Sequence, residues 1–147
     1  MPTFTDVTDE DMAAMRPFRG YSTQERPFML SLSENEIQRA VFAHLRMHGA
    51  PNSFAFHPKN GGMHQRGRRA GINSGLGVVS GVPDIIILTP NQTYALELKT
   101  GAGKLSKEQK ETMVRMGHAG AITGVAFGLD DALAWLTRHG LLRGRSA

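Results

Sequence analysis

The chain has 147 residues, no cysteine, 40% hydrophobic and 7% aromatic side chains, and a formal charge of +4. This is the composition of one globular domain with its own core, and it excludes disulfides and zinc–thiolate sites. No apolar run approaches the ~20 residues of a membrane span, and the start at Met1 lacks the regions of a secretory signal, so a cytoplasmic protein with no membrane partner is expected.

Residues 1–30 hold Pro2, Pro17 and Pro27, several acids and little periodicity, which predicts a flexible amino-terminal tail. A helix is expected from Ser33 to about His48. Ser33 and Glu36 make a capping box, Ile37, Val41 and Leu45 form the apolar stripe, and Gly49 with Pro51 ends it. Glu34 falls inside that stripe while Glu36 points to the opposite side and Gln38 borders it. An acid on a buried helix face is costly without a partner. Glu34 therefore either meets a cation within the fold or stays wet in the first turn, where the helix dipole favours it.

Residues 52–57 read as a short strand with Phe54 and Phe56 inward, followed by a loop at Pro58–Gly62. Lys59, Arg66, Arg68 and Arg69 fall within eleven residues that contain no acid. Such a stretch is a phosphate-contacting surface or a solvated one, without a base-specific signal; the basic balance is compatible with nucleic acid as partner. A short helix ending near Gly77 is expected from residues 66–76.

The most informative stretch is Gly81–Lys99. Ile85-Ile86-Ile87-Leu88 is the unbroken apolar run of a strand buried on both faces, and Pro83 fits at its start. A turn at Thr89-Pro90-Asn91-Gln92 returns the chain into Thr93–Lys99. Alternation puts Tyr94, Leu96 and Leu98 on a core face and Thr93, Ala95, Glu97 and Lys99 on the other. Pairing of the two strands brings Asp84 beside Glu97. Two carboxylates and an ammonium on rigid elements are what a hard divalent cation and a phosphoryl substrate require; a turn residue and a solvated strand face are the plainer account.

After a Gly101–Lys104 loop, Ser106 caps a helix from Lys107 to about Met116, with Val114 and its Met residues on the apolar side and Gly117 and Gly120 closing it. Residues 121–127 form a further strand, and Asp130-Asp131 opens a last helix carrying Leu133, Ala134, Trp135 and Leu136, ended by His139-Gly140. The expected domain, residues 31–140, is thus α/β, a mixed sheet flanked by helices, with a basic tail over residues 141–147.

Pro83-Asp84, with Glu97-Leu98-Lys99 following, resembles the PD-(D/E)XK nuclease signature. Further segments are similar to one branch of it, the VRR-NUC (virus-type replication-repair nuclease) domain. They are Glu34 with Ile37-Gln38, the segment from His57 to Gly62, Gly81–Asp84, Glu97–Thr100, Gly103–Ser106 with Gln109, and Gly117-His118-Ala119. The resemblance covers roughly residues 33–138. It implies a restriction-endonuclease-like fold and Mg²⁺-dependent hydrolysis of DNA phosphodiesters, with Mn²⁺ able to substitute, on junctions or flaps in replication, recombination or repair of a phage or its bacterial host. It implies Asp84, Glu97 and the Leu98 carbonyl as metal ligands, Lys99 as the residue that orients water, and Glu34 as completing the acidic cluster, with Glu36 the alternative. Gln109 would line the site or contact the phosphate backbone, and Asn60 would shape the cleft beside Lys59, Arg66, Arg68 and Arg69. Many members carry an aromatic residue where Met113 stands here. A homodimer follows if both strands of a duplex are to be cut.

Three other readings compete. The first is a catalytically silent nucleic-acid-binding module on the same fold. The second is a zinc hydrolase built on His44 and His48, which lie one turn apart but have no third ligand at motif spacing. The third is a protein-interaction domain, although the Met positions read as core filling.

Overall fold

The Ile-rich run and the alternating run after it form the expected hairpin. In the computed structural model, which describes residues 32–59 and 75–143, the elements are α1 (Glu34–His48), β1 (Phe54–Phe56), β2 (Ile85–Leu88), β3 (Thr93–Lys99), α2 (Lys107–His118), β4 (Ile122–Phe127) and α3 (Leu129–Arg138). The strands form one mixed sheet in the order β1-β2-β3-β4. β1–β2 and β2–β3 are antiparallel and β3–β4 is parallel, so α2 is the crossover a parallel pair needs. The hairpin turn is closed by Thr89, whose N–H and hydroxyl both donate to the Gln92 carbonyl. The expected amino-terminal tail, nearly all of the expected 66–76 helix and most of the basic segment lie outside the described residues.

Strand alternation sorts the core into two layers. On one face Ile85, Ile87, Leu96, Leu98 and Ala126 pack with Ile37 and Val41 of α1 and Ala132, Trp135 and Leu136 of α3. The opposite face of β3, carrying Ala95 and Glu97, lies under α2, which buries Thr112, Met113 and Val114. β4 and α3 approach so closely that a Cβ on Gly124 would run into the Trp135 indole. Tyr94 and His139 flank that indole, with ring centroids 6.1 and 4.5 Å away.

Three expectations are corrected. Phe54 and Phe56 do not point inward; they are 65% and 37% exposed, and the register that sets Ala55 opposite Ile87 turns Ala55 to the core instead. Met47 is exposed rather than core filling, unlike Met113. The chain beyond residue 140 does not begin as a tail: Leu141 and Leu142 are buried, and Leu142 bridges to Gly49.

Candidate active site

Asp84 stands one residue before β2, and the pairing of Ile85 with Leu96 sets it across from Glu97, near the carboxyl end of β3. Its Oδ2 accepts the Leu98 N–H at 2.9 Å. This bond occupies the first ladder position beyond β2 and fixes the carboxylate to the neighbouring strand. Glu97 and Lys99 share the face of β3 opposite Leu98, and both are buried. Lys99 Nζ lies 3.2 Å from Glu97 Oε1 and 3.9 Å from Glu34 Oε1 at the first turn of α1. The backbone of Gly103 covers the lysine stem; a Cβ there would sit 3.1 Å from Lys99 Cδ.

The amino terminus of α2 supplies the next contact. Ser106 and Gln109 form a capping box, and the Gln109 amide works in both directions. Its Oε1 accepts the Ser106 N–H at 2.8 Å, while its Nε2 donates to Glu97 Oε1 at 2.6 Å. The loop into Asp84 is pinned to the same helix. Thr112 Oγ1 donates to the Ser80 carbonyl at 2.6 Å, and Gly81, at φ +75°, passes so near that a Cβ would strike the Glu108 carbonyl and Gln109 nitrogen. From β1, the His57 ring donates through Nδ1 to the Asp84 carbonyl at 2.6 Å.

Two desolvated carboxyls side by side are electrostatically costly. Burial pushes the Asp84 carboxyl up, opposed by the Leu98 N–H and by the charges of Lys99 and His57. Burial, and then the Asp84 charge, push Glu97 up to about 7, against the pull of Lys99 and of the Asp84 backbone N–H. Ionised carboxylates at neutral pH here call for added positive charge.

No family model matches the chain, and neither does any curated protein. Solved structures do. A structure described as a VRR_NUC domain protein is similar over 75% of this chain and 89% of its own length, with a TM-score of 0.58 at 20% identity. A second, described as a VRR_NUC domain, is similar over 72% of this chain and 95% of its own, with a TM-score of 0.50 at 17% identity. The chain has the VRR_NUC fold.

Within this VRR_NUC fold, Glu34, Asp84, Glu97, Lys99 and Gln109 converge at one end of the sheet. Glu36 is turned away: its carboxylate accepts from the Ser33 N–H and hydroxyl, both at 2.8 Å, so Glu34 is the acid that faces Lys99. Leu98 buries its side chain in the opposite layer. Lys59 is exposed beyond β1, and Asn60, Arg66, Arg68 and Arg69 lie outside the described residues. His44 and His48 stack 6.4 Å apart, and among the described residues no three His, Asp or Glu side chains gather closely enough to hold an ion unaided. Sequence patterns left the contacts of His57 and Gly81 unassigned. The only signal for either was membership of a motif segment, which carries no partner.

Proposed function

We propose that the chain is a divalent-cation-dependent DNA endonuclease that hydrolyses phosphodiester bonds, acting on junctions or flaps in replication, recombination or repair. The observation that carries this is the placement of Asp84 and Glu97 side by side at a strand end with Lys99 against them. The VRR_NUC fold and the sequence resemblance support the same reading.

The donor set fits Mg²⁺, or Mn²⁺ in its place. Mg²⁺ keeps several waters and takes one or two carboxylates plus substrate phosphate, so the buried Glu97, the half-buried Asp84 and the Leu98 carbonyl would suffice without a closed protein cage. The raised Asp84 and Glu97 carboxyls also mark a place where a dication relieves an existing cost. When bound, the cation supplies Lewis-acid stabilisation of the phosphoryl charge and a more acidic water.

The chain's own groups do the rest. Asp84 and Glu97 hold the ion; Lys99 orients the attacking water and faces the developing negative charge. Gln109 keeps Glu97 from swinging away, and Glu34 draws the free side of the Lys99 ammonium. Lys59 and the basic residues after it hold phosphates, which makes cleavage fall steeply with salt. Two copies acting together cut both strands of a duplex.

The test uses end-labelled duplex, flap, four-way junction and single-stranded DNA, each with Mg²⁺, Mn²⁺ or EDTA. Wild type runs beside folded Asp84→Ala and Lys99→Ala. Metal-dependent cutting lost in both variants is the expected result. Salt-sensitive binding without cutting of any shape would replace it with a silent binding module.

A further inference from the structure

Helix α1 has a second face that the site does not use. At ~100° per residue, Asn35, Arg39, Phe42 and Arg46 fall within ~60° of one another, roughly opposite the buried Ile37 and Val41. With Gln38 and His57 they line a cleft of about 540 Å³. The guanidinium groups of Arg39 and Arg46 are exposed, and neither has an ion-pair partner within 4 Å among the described residues. Arg39 acts electrostatically on Glu36, whose carboxylate is hydrogen-bonded by Ser33. Phe42 is half-buried against the core and so is held in place.

Two of the residues that line the cleft adjoin the candidate active site. His57 lines it and donates to the Asp84 carbonyl. Asn35 lines it and adjoins Glu34, which reaches Lys99. Unpaired guanidinium groups beside a fixed aromatic ring form the combination that binds single strands, charge following the backbone and a ring receiving a base.

We propose that this cleft seats a single-stranded stretch of the nucleic acid, with backbone phosphates on Arg39 and Arg46 and a base against Phe42. The assignment rests on nucleic acid being the substrate, as argued above. It gives the enzyme a means of selecting DNA that carries an unpaired arm, delivered next to Asp84.

The full chain is titrated with labelled oligothymidylate and with a blunt hairpin duplex, by fluorescence anisotropy in EDTA at several salt concentrations. Arg39→Ala/Arg46→Ala, changed only at exposed positions, lowers affinity for the oligothymidylate tenfold or more. It also flattens the salt slope by about 1.4, at ~0.7 per lost phosphate contact on a single strand. Affinity for the blunt duplex changes less than twofold. Phe42→Leu, checked for folding by circular dichroism, weakens the oligothymidylate about fivefold at unchanged slope, as loss of one stacked base requires. Unchanged oligothymidylate binding in the double arginine variant overturns the proposal, as does an equal loss on the duplex. Cleavage of a forked duplex with Mg²⁺ is followed in parallel. Wild type that cuts while the arginine variant binds normally defeats the cleft and leaves the nuclease standing. Wild type that never cuts but loses single-strand binding with the arginines defeats the nuclease and leaves the cleft.

Discussion

Glu97 carries its charge where solvent scarcely reaches it, at 2% exposure, with Asp84 as its neighbour across the hairpin. Its folded pKa of about 7 stands above the ordinary value of 4.5, so folding takes up a proton between those limits. The metal-free protein is then most stable below about pH 4.5 as far as this group is concerned, and loses that contribution as pH rises through about 7. The loss is on the order of 3 kcal/mol. Thermal melts in EDTA between pH 5 and pH 8 should show the decline, Mg²⁺ should reverse it, and Asp84→Asn should reduce it while keeping an oxygen for the Leu98 N–H. A second residue-scale expectation separates charge from contact. Gln109→Glu preserves the capping geometry but faces Glu97 with a like charge, so cleavage should fall at least tenfold while the melting temperature at pH 5 stays near wild type. Asp84, Glu97 and Lys99 were legible in the sequence because strand alternation is rigid: one face of β3 follows from its parity. Glu34 was separable from Glu36 by helical phase and by the capping box that takes up Glu36, and the Ser33 hydrogen bonds agree, whereas its contact with Lys99 left no mark in the sequence.

At the scale of elements, the cap of α2 and the loop entering β2 are one construction. Gly81 crosses the first turn of α2 at backbone distance, and Thr112 holds Ser80 there. Gly81→Ala combines a left-handed φ of +75° with a clash against backbone that does not yield. It should destabilise by roughly 2 kcal/mol or more and reduce cleavage further than stability alone accounts for, because Asp84 moves with the loop. Denaturant unfolding and rates on the same preparation test both parts. Ser106→Ala removes only the hydroxyl half of the capping box and should cost about 1 kcal/mol. Caps were readable in the sequence at both Ser33 and Ser106, since a serine three residues before Glu or Gln has few other uses. The direction of β1 was not. Three residues are too short to average out, and the aromatic side chains of Phe54 and Phe56 pointed the expectation inward while the register with β2 decided otherwise.

At the scale of the whole molecule, the site is drawn from both layers and from positions as distant in sequence as Glu34 and Gln109. The sheet order supplies the meeting point, because an antiparallel hairpin beside a parallel crossover brings the start of β2, the end of β3 and the start of α2 to one end. Element order and layering were readable from hydrophobic period. The boundary of the domain at its far end was not, because Leu141 and Leu142 follow the His139-Gly140 stop and precede Arg143-Gly144-Arg145, which reads as a tail. Leu142→Ala should destabilise by about 2 kcal/mol, measurable as a shift in denaturant midpoint at unchanged m-value.

That same segment clasps the end of α1: the Leu141 carbonyl accepts from Ala50, and the Arg143 N–H donates to His48. Helix α1 carries Glu34 at its other end and Arg39 and Arg46 along its side. Residues 141–143 therefore fasten a helix made far earlier in the chain. A chain cut back to residue 140 lacks both of these backbone bonds, so the far end of α1 should exchange its amide protons faster while its core face, through Ile37 and Val41, stays packed.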